Sequence, residues 1–185
     1  MANTTFSAAR RRLLGAGAAA LVGMALPSVA SAGITRKQGK RSLAFYNLHT
    51  GESLETVYWR HGIYRPEALK AVNWILRDFR TGTTMPIDRD LLDLLHRLER
   101  SVAVAEPFRI ISGYRSPKTN AMLRARSSGV AKRSLHMEGR AADIALAGVP
   151  LSDLRGAALA LRAGGVGYYP RSGFVHVDTG RVRHW

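Results

Sequence analysis

The sequence predicts an α+β fold in a single domain. Three observations point there. Apolar residues recur at helical spacing in three segments, 65–80, 85–102 and 150–163. Short runs with period-two alternation mark strands, and these cluster late in the chain rather than alternating with helices as in a parallel βαβ array. Once a leader is set aside, 153 residues remain, enough for one hydrophobic core.

The leader is residues 1–32. Arg10, Arg11 and Arg12 precede a 14-residue apolar run, Leu13 to Leu26, followed by Pro27 and the small residues Ala30-Ser31-Ala32. A basic start, a short apolar stretch and an A-x-A ending describe a signal peptide cut after Ala32. The apolar run is shorter than the ~20 residues of a membrane-spanning helix. The paired arginines resemble a twin-arginine signal, which exports folded proteins. Ordinary secretion and an uncleaved anchor stay open as alternatives. "GITRKQGKR", residues 33–41, carries four positive charges and little to bury, so it reads as a basic linker before a domain at 42–185.

"RSLAFYNLHTGESLETVYW" reads as two strands around Thr50-Gly51-Glu52. "RPEALKAVNWILRDFR" opens with Pro66 and places Leu69, Val72, Ile75, Leu76 and Phe79 on one helix face. "MPIDRDLLDLLHRLERSV" repeats that pattern at Ile87, Leu91, Leu94, Leu95, Leu98 and Val102. "FRIISGYR" is a short buried strand that leaves through Gly113. "SPKTNAMLRAR" reads as a short helix capped by Ser116, with Pro117 at its first position. "GRAADIAL" is a strand and "PLSDLRGAALALRA" a further amphipathic helix. "GGVGYY", the turn "PRSG" and "FVHVDTG" form a C-terminal hairpin.

The formal charge is +15. Removing residues 1–32 takes away three arginines and no acid, leaving 25 basic against 13 acidic residues, or +12. Such a chain favours polyanions: cell wall, lipopolysaccharide phosphates or nucleic acid. Export argues against nucleic acid. The sequence has no cysteine, so any metal site must use His, Asp or Glu.

A catalytic zinc site needs three protein ligands and one open position. His136 lies just before the "GRAADIAL" strand, Asp143 lies in it, and His176 lies on the last strand. Residues two apart on a strand face the same way, so Phe174, His176 and Asp178 share a face. Singly, each has a plainer reading: His136 a loop histidine, Asp143 a strand-edge cap, His176 a satisfied core histidine.

The words "SGYRSPKTN", "SLHMEGRAADI", "GGVGYYP" and "FVHVDTGRVRHW", in this order, resemble the zinc D-Ala-D-Ala peptidase and murein endopeptidase superfamily, and within it the murein endopeptidase K type. The resemblance covers about residues 42–185. It implies a Hedgehog/DD-peptidase-like fold, an antiparallel sheet flanked by helices, with one zinc ion held by His136, Asp143 and His176. The implied activity is hydrolysis of peptide cross-links in peptidoglycan, at the D-Ala–diaminopimelate or the diaminopimelate–diaminopimelate bond. It gives Arg115 a substrate carboxylate or the oxyanion, and Ser134 a contact to substrate. Relatives place an acid or a second histidine just before the last ligand, where this chain has Gly173 and Phe174. Asp178 is therefore the expected proton acceptor or, alternatively, the residue that fixes a ligand's tautomer. Glu138 is a lesser candidate for the base, and His184 could approach the cleft. Tyr114 and Tyr168 read as packing, and His49, His61 and His96 as structural or surface residues. The resulting expectation is a monomeric periplasmic zinc endopeptidase acting on peptidoglycan stem peptides, with neither nucleic acid nor a membrane span after signal cleavage. A D,D-carboxypeptidase, an inactive wall-binding module and a basic periplasmic structural protein are the alternatives.

Overall fold

Asn47 sets the first turn. Its side-chain oxygen accepts the backbone N–H groups of His49 and Thr50, and Gly51 takes φ 70° to complete the reversal. The strands on either side, β1 (Lys40–Asn47) and β2 (Ser53–Arg60), pair antiparallel. This is a computed structural model, and it describes residues 39–127 and 129–185. The expected signal peptide at 1–32 and most of the expected linker lie outside the described residues. β1 begins at Lys40, so the last two residues read as linker are strand instead. Arg41 is held there by Asp93 and by the face of Trp59.

A two-residue strand, β3 (Ile63–Tyr64), follows β2 and leads into α1 (Pro66–Ile75). α2 (Arg89–Val102) starts at Asp88, whose carboxylate accepts the N–H of Asp90. Its buried residues are Leu91, Leu92, Leu94, Leu95 and Leu98, all but Leu92 picked out by the helical spacing. β4 (Phe108–Ser112) comes next. α3 (Pro117–Arg126) is capped by Ser116, whose hydroxyl accepts the N–H of Thr119. A 3₁₀ turn, Leu135–Glu138, precedes β5 (Ala141–Leu146) and α4 (Leu151–Leu161). β6 (Gly165–Tyr169), a second 3₁₀ turn at Pro170–Ser172, β7 (Phe174–Asp178) and a short β8 (Arg183–His184) close the chain.

All eight strands form one sheet, ordered β3-β2-β1-β4-β5-β7-β6-β8. The fold is α+β, as expected, with four α-helices among the described residues, but the sheet is not wholly antiparallel. β1 and β4 run parallel, as do β6 and β8. The chain between β1 and β4 holds a hairpin and two helices, long enough for the crossover that parallel pairing requires.

Period-two alternation splits the C-terminal half of the sheet into two faces. Ala142, Ile144, Val166, Val175 and Val177 point to a fully buried core beneath α2 and α4. Ala141, Asp143, Gly165, Gly167, Tyr169, Phe174, His176 and Asp178 share the other face through the pairs Asp143↔His176, Gly167↔His176 and Ala141↔Asp178. The small residues on this second face leave room for a cleft, and the polar ones line it.

Candidate metal centre

His136 reaches the sheet from the first 3₁₀ turn. That turn ends at Gly139, which takes φ 67°. A side chain at Gly139 would lie 2.5 Å from the carbonyl oxygen of Pro86, so glycine is required for both reasons. Asp143 and His176 are direct cross-strand partners on β5 and β7. An irregularity in β4 between Ile110 and Ser112 turns Gly113 toward His136.

Three atoms converge. His176 Nδ1 is 2.8 Å from Asp143 Oδ1, His136 Nε2 is 3.2 Å from the same oxygen, and the two nitrogens are 3.2 Å apart. A tetrahedral zinc site with ligands at ~2.0–2.1 Å separates its ligand atoms by about 3.3 Å. The triangle has that size, and a metal ion could be held by His136, Asp143 and His176.

The outer nitrogens decide which lone pairs face inward. His136 Nδ1 lies 2.7 Å from the carbonyl oxygen of Gly113, which can only accept. Nδ1 therefore carries the proton, and Nε2 turns a lone pair to the centre. His176 Nε2 lies 3.1 Å from Asp178 Oδ2, and the same logic frees Nδ1. Three acceptors this close repel one another unless a cation or a shared proton lies between them. Burial alone would push the His176 imidazole down, but the hydrogen bonds it donates to Asp143 and Asp178 outweigh it and lift its pKa to about 9, so without a metal Nδ1 holds the shared proton that a cation would displace. Burial likewise pushes Asp143 up, while His136 and His176 hold it well below the usual carboxylate range.

Of the two roles expected of Asp178, its surroundings suit the orienting one better. Its carboxylate is fully buried and lies behind His176, on the side away from the triangle. Oδ1 accepts from the N–H groups of Gly165 (3.0 Å) and Gly180 (2.7 Å) and from Arg183 (3.2 Å), and Oδ2 from Arg183 (2.7 Å) and His176. No lone pair is left to take a proton from water in the cleft. Asp178 is placed to orient His176, the second of its two expected parts. Glu138 is engaged with Arg140, and neither it nor the exposed His184 lines the cleft. Among the described residues, the cleft's only carboxylates are Asp143 and Asp178.

Arg115 and Ser134 do line the cleft, a cavity of about 320 Å³. Arg115 is carried between β4 and α3, and its backbone N–H bonds to the carbonyl of His136. One terminal nitrogen is 3.4 Å from Asp143 Oδ2, while its buried Nε has no protein partner among the described residues. A guanidinium so placed is left to bind an anionic group entering the cleft. Ser134 opens the 3₁₀ turn two residues before His136 without capping it, so its hydroxyl is available.

The sequence reading missed one wall of this cleft. Tyr169, Arg183 and Trp185 line it together with Phe174. Arg183 holds Asp178, and the Trp185 ring lies 5.3 Å from that of His176. The period-two pattern on β6 placed Tyr169 on this face, but no signal in residues 179–185 announced a strand that brings Arg183 and Trp185 back.

The profile of the family described as "Peptidoglycan L,D-endopeptidase MepK" matches residues 35–185. The peptidoglycan L,D-endopeptidase MepK of Escherichia coli (strain K12) is 48% identical over 180 residues, covering 97% of this chain and 98% of that protein. A probable peptidoglycan L,D-endopeptidase MepK of Haemophilus influenzae is 40% identical over 177 residues, 95% of each chain. No solved structure matches significantly.

Proposed function

The chain belongs to the peptidoglycan L,D-endopeptidase MepK family and is a cell-wall endopeptidase, and on that premise we propose a zinc-dependent reaction carried by the His136, Asp143 and His176 centre. The observation that carries this is the triangle of inward lone pairs, whose edges of 2.8 to 3.2 Å suit a tetrahedral ion. When bound there, zinc supplies Lewis acidity, bringing the pKa of water to ~7 and polarising a carbonyl.

The chain's own residues do the rest. The Gly113 carbonyl and Asp178 fix the tautomers of His136 and His176, so both rings arrive with the correct nitrogen bare. Arg115 grips a stem-peptide carboxylate with two parallel N–H groups, and Ser134 contacts the same peptide. The basic surface gathers the enzyme on an anionic wall. The relatives' names specify an L,D bond, which favours the link between two diaminopimelates. A D,D-carboxypeptidase is disfavoured because Gly173, at the position of the acid in those relatives, supplies no side chain to the cleft.

The reading includes a Hedgehog/DD-peptidase-like fold, a signal peptide at 1–32 with twin-arginine export, a domain at 42–185, and a periplasmic monomer holding one zinc. No helix among the described residues is long and apolar enough to cross a membrane. The test is digestion of defined muropeptide dimers by the zinc-loaded chain, with products identified by mass. Cleavage of the diaminopimelate–diaminopimelate dimer, lost in His136→Ala, is expected. A zinc-loaded chain that leaves both kinds of dimer intact would overturn the reading.

A further inference from the structure

Among the described residues, nothing accepts the hydroxyl proton of Tyr169. Its hydroxyl oxygen is 2.7 Å from the indole nitrogen of Trp185. An indole N–H can only donate, so the tyrosyl oxygen is the acceptor in that bond. Its own hydrogen must then go elsewhere, and among the described residues it has no acceptor. Tyr169 lines the same cleft as His136, Asp143 and His176, so the O–H is available to whatever enters.

The ring is also fixed. It stacks on Phe174, its partner across β6 and β7, with centroids 4.6 Å apart and planes at 22°. Gly167, two residues earlier on the same face, pairs with His176. A side chain there would come within 2.8 Å of both the Tyr169 and Trp185 rings. Glycine thus lets both aromatics settle over the strand beside the ligand histidine. Trp185 touches both parties: its ring leans on His176, and its N–H occupies the Tyr169 lone pair. In the same cleft, Arg115 and Ser134 are committed to the stem peptide in the function proposed above. Tyr169 is then a preset neutral donor, tied through Trp185 to the ligand histidine.

We propose that Tyr169 is a further catalytic residue, donating its O–H to the oxygen of the scissile amide as negative charge gathers on it, and that Trp185 is the positioning residue that aims that proton. The inference rests on the zinc-peptidase reading. It assigns residues 183–185 two tasks: Arg183 secures Asp178 behind His176, and Trp185 holds the donor in the cleft.

The experiment compares the wild type, Tyr169→Phe, Trp185→Phe and the double variant as full zinc-loaded chains. It measures zinc content, kcat and KM on a cross-linked muropeptide dimer, and calorimetric binding of a phosphinate analogue and of the product peptide. Tyr169→Phe keeps the stacked ring and should keep its zinc. Its kcat should fall on the order of a hundredfold with KM little changed. Binding of the phosphinate should weaken by a similar factor while product binding holds. Trp185→Phe should lower kcat about threefold to tenfold, and the double variant should be no worse than Tyr169→Phe, because the indole acts only through the hydroxyl. A wild-type kcat in Tyr169→Phe, a loss confined to KM, or multiplying losses in the double variant would each overturn the proposal. A zinc-loaded wild type that cleaves nothing would instead overturn the peptidase reading, and this proposal with it.

Discussion

Replacing Asp178 by Asn separates orienting a ligand from accepting a proton. The change keeps the shape and removes the charge. The amide oxygen can take the place of Oδ1 and still accept from Gly165 and Gly180 at 3.0 and 2.7 Å. The amide NH₂ then faces His176 Nε2 at 3.1 Å and Arg183 at 2.7 Å, donor against donor. His176 relieves this by moving its proton to Nδ1, the atom that faces the metal. Losing such an orienting partner costs ten- to a hundredfold in metal affinity, about 1.4–2.7 kcal/mol. Losing one of the two Arg183 hydrogen bonds, and its charge, costs about 1–2 kcal/mol more of folding stability, at the low end for a charged hydrogen bond because Arg183 is 32% exposed. The assay is a zinc titration against a chelator, followed by kcat at saturating zinc. Affinity should fall by the stated factor, and kcat should recover to within about tenfold of the wild type once zinc saturates. Unchanged zinc affinity with a kcat loss of about a thousandfold would refute the reasoning and restore Asp178 as the proton acceptor.

Other perturbations read separate parts of the site. Arg115→Lys should raise KM about tenfold or more without changing zinc content, since a point charge cannot copy a bidentate grip; steady-state kinetics with metal analysis checks it. Gly167→Ala brings a methyl group within 2.8 Å of the Tyr169 and Trp185 rings, so kcat should fall up to about a hundredfold while zinc stays bound. Asp78 ties the loop after α1 to α3, accepting the N–H of Ser116, the residue after Arg115. Burial pushes its carboxyl up, but the Ser116 and Thr119 hydroxyls and two backbone N–H groups hold it at about 2 against an ordinary 3.8. A lowered folded-state value stabilises the fold at pH above about 4 and stops doing so as pH falls through about 2. Asp78→Asn should therefore cost about 2 kcal/mol at neutral pH and almost nothing near pH 2, measured by denaturant melts.

Much of this was legible because the local signals agreed with the tertiary demand. The spacing of Leu91, Leu94, Leu95 and Leu98 is the buried stripe of α2, and Ser116-Pro117 marks the start of α3. Strand alternation placed Phe174, His176 and Asp178 on one face, where the structure has them. It could not say which of them points at the centre and which lies behind. Asp178 shares a face with His176, but Gly165 and Gly180 draw its carboxylate toward the strand edge, and those partners are distant in sequence or beyond the strand. The parallel pair of β1 and β4 is a long-range choice that no local period encodes. β8 is two residues long, too short for alternation to show, so the wall built by Arg183 and Trp185 was invisible.

The centre itself is tested most directly by X-ray absorption at the zinc edge on the metal-loaded chain. About one zinc per chain is expected, four-coordinate, with two imidazole nitrogens and one carboxylate oxygen at ~2.0–2.2 Å. That signature should vanish in His136→Ala. A chain that retains no zinc, or a six-coordinate shell of oxygens alone, would contradict it.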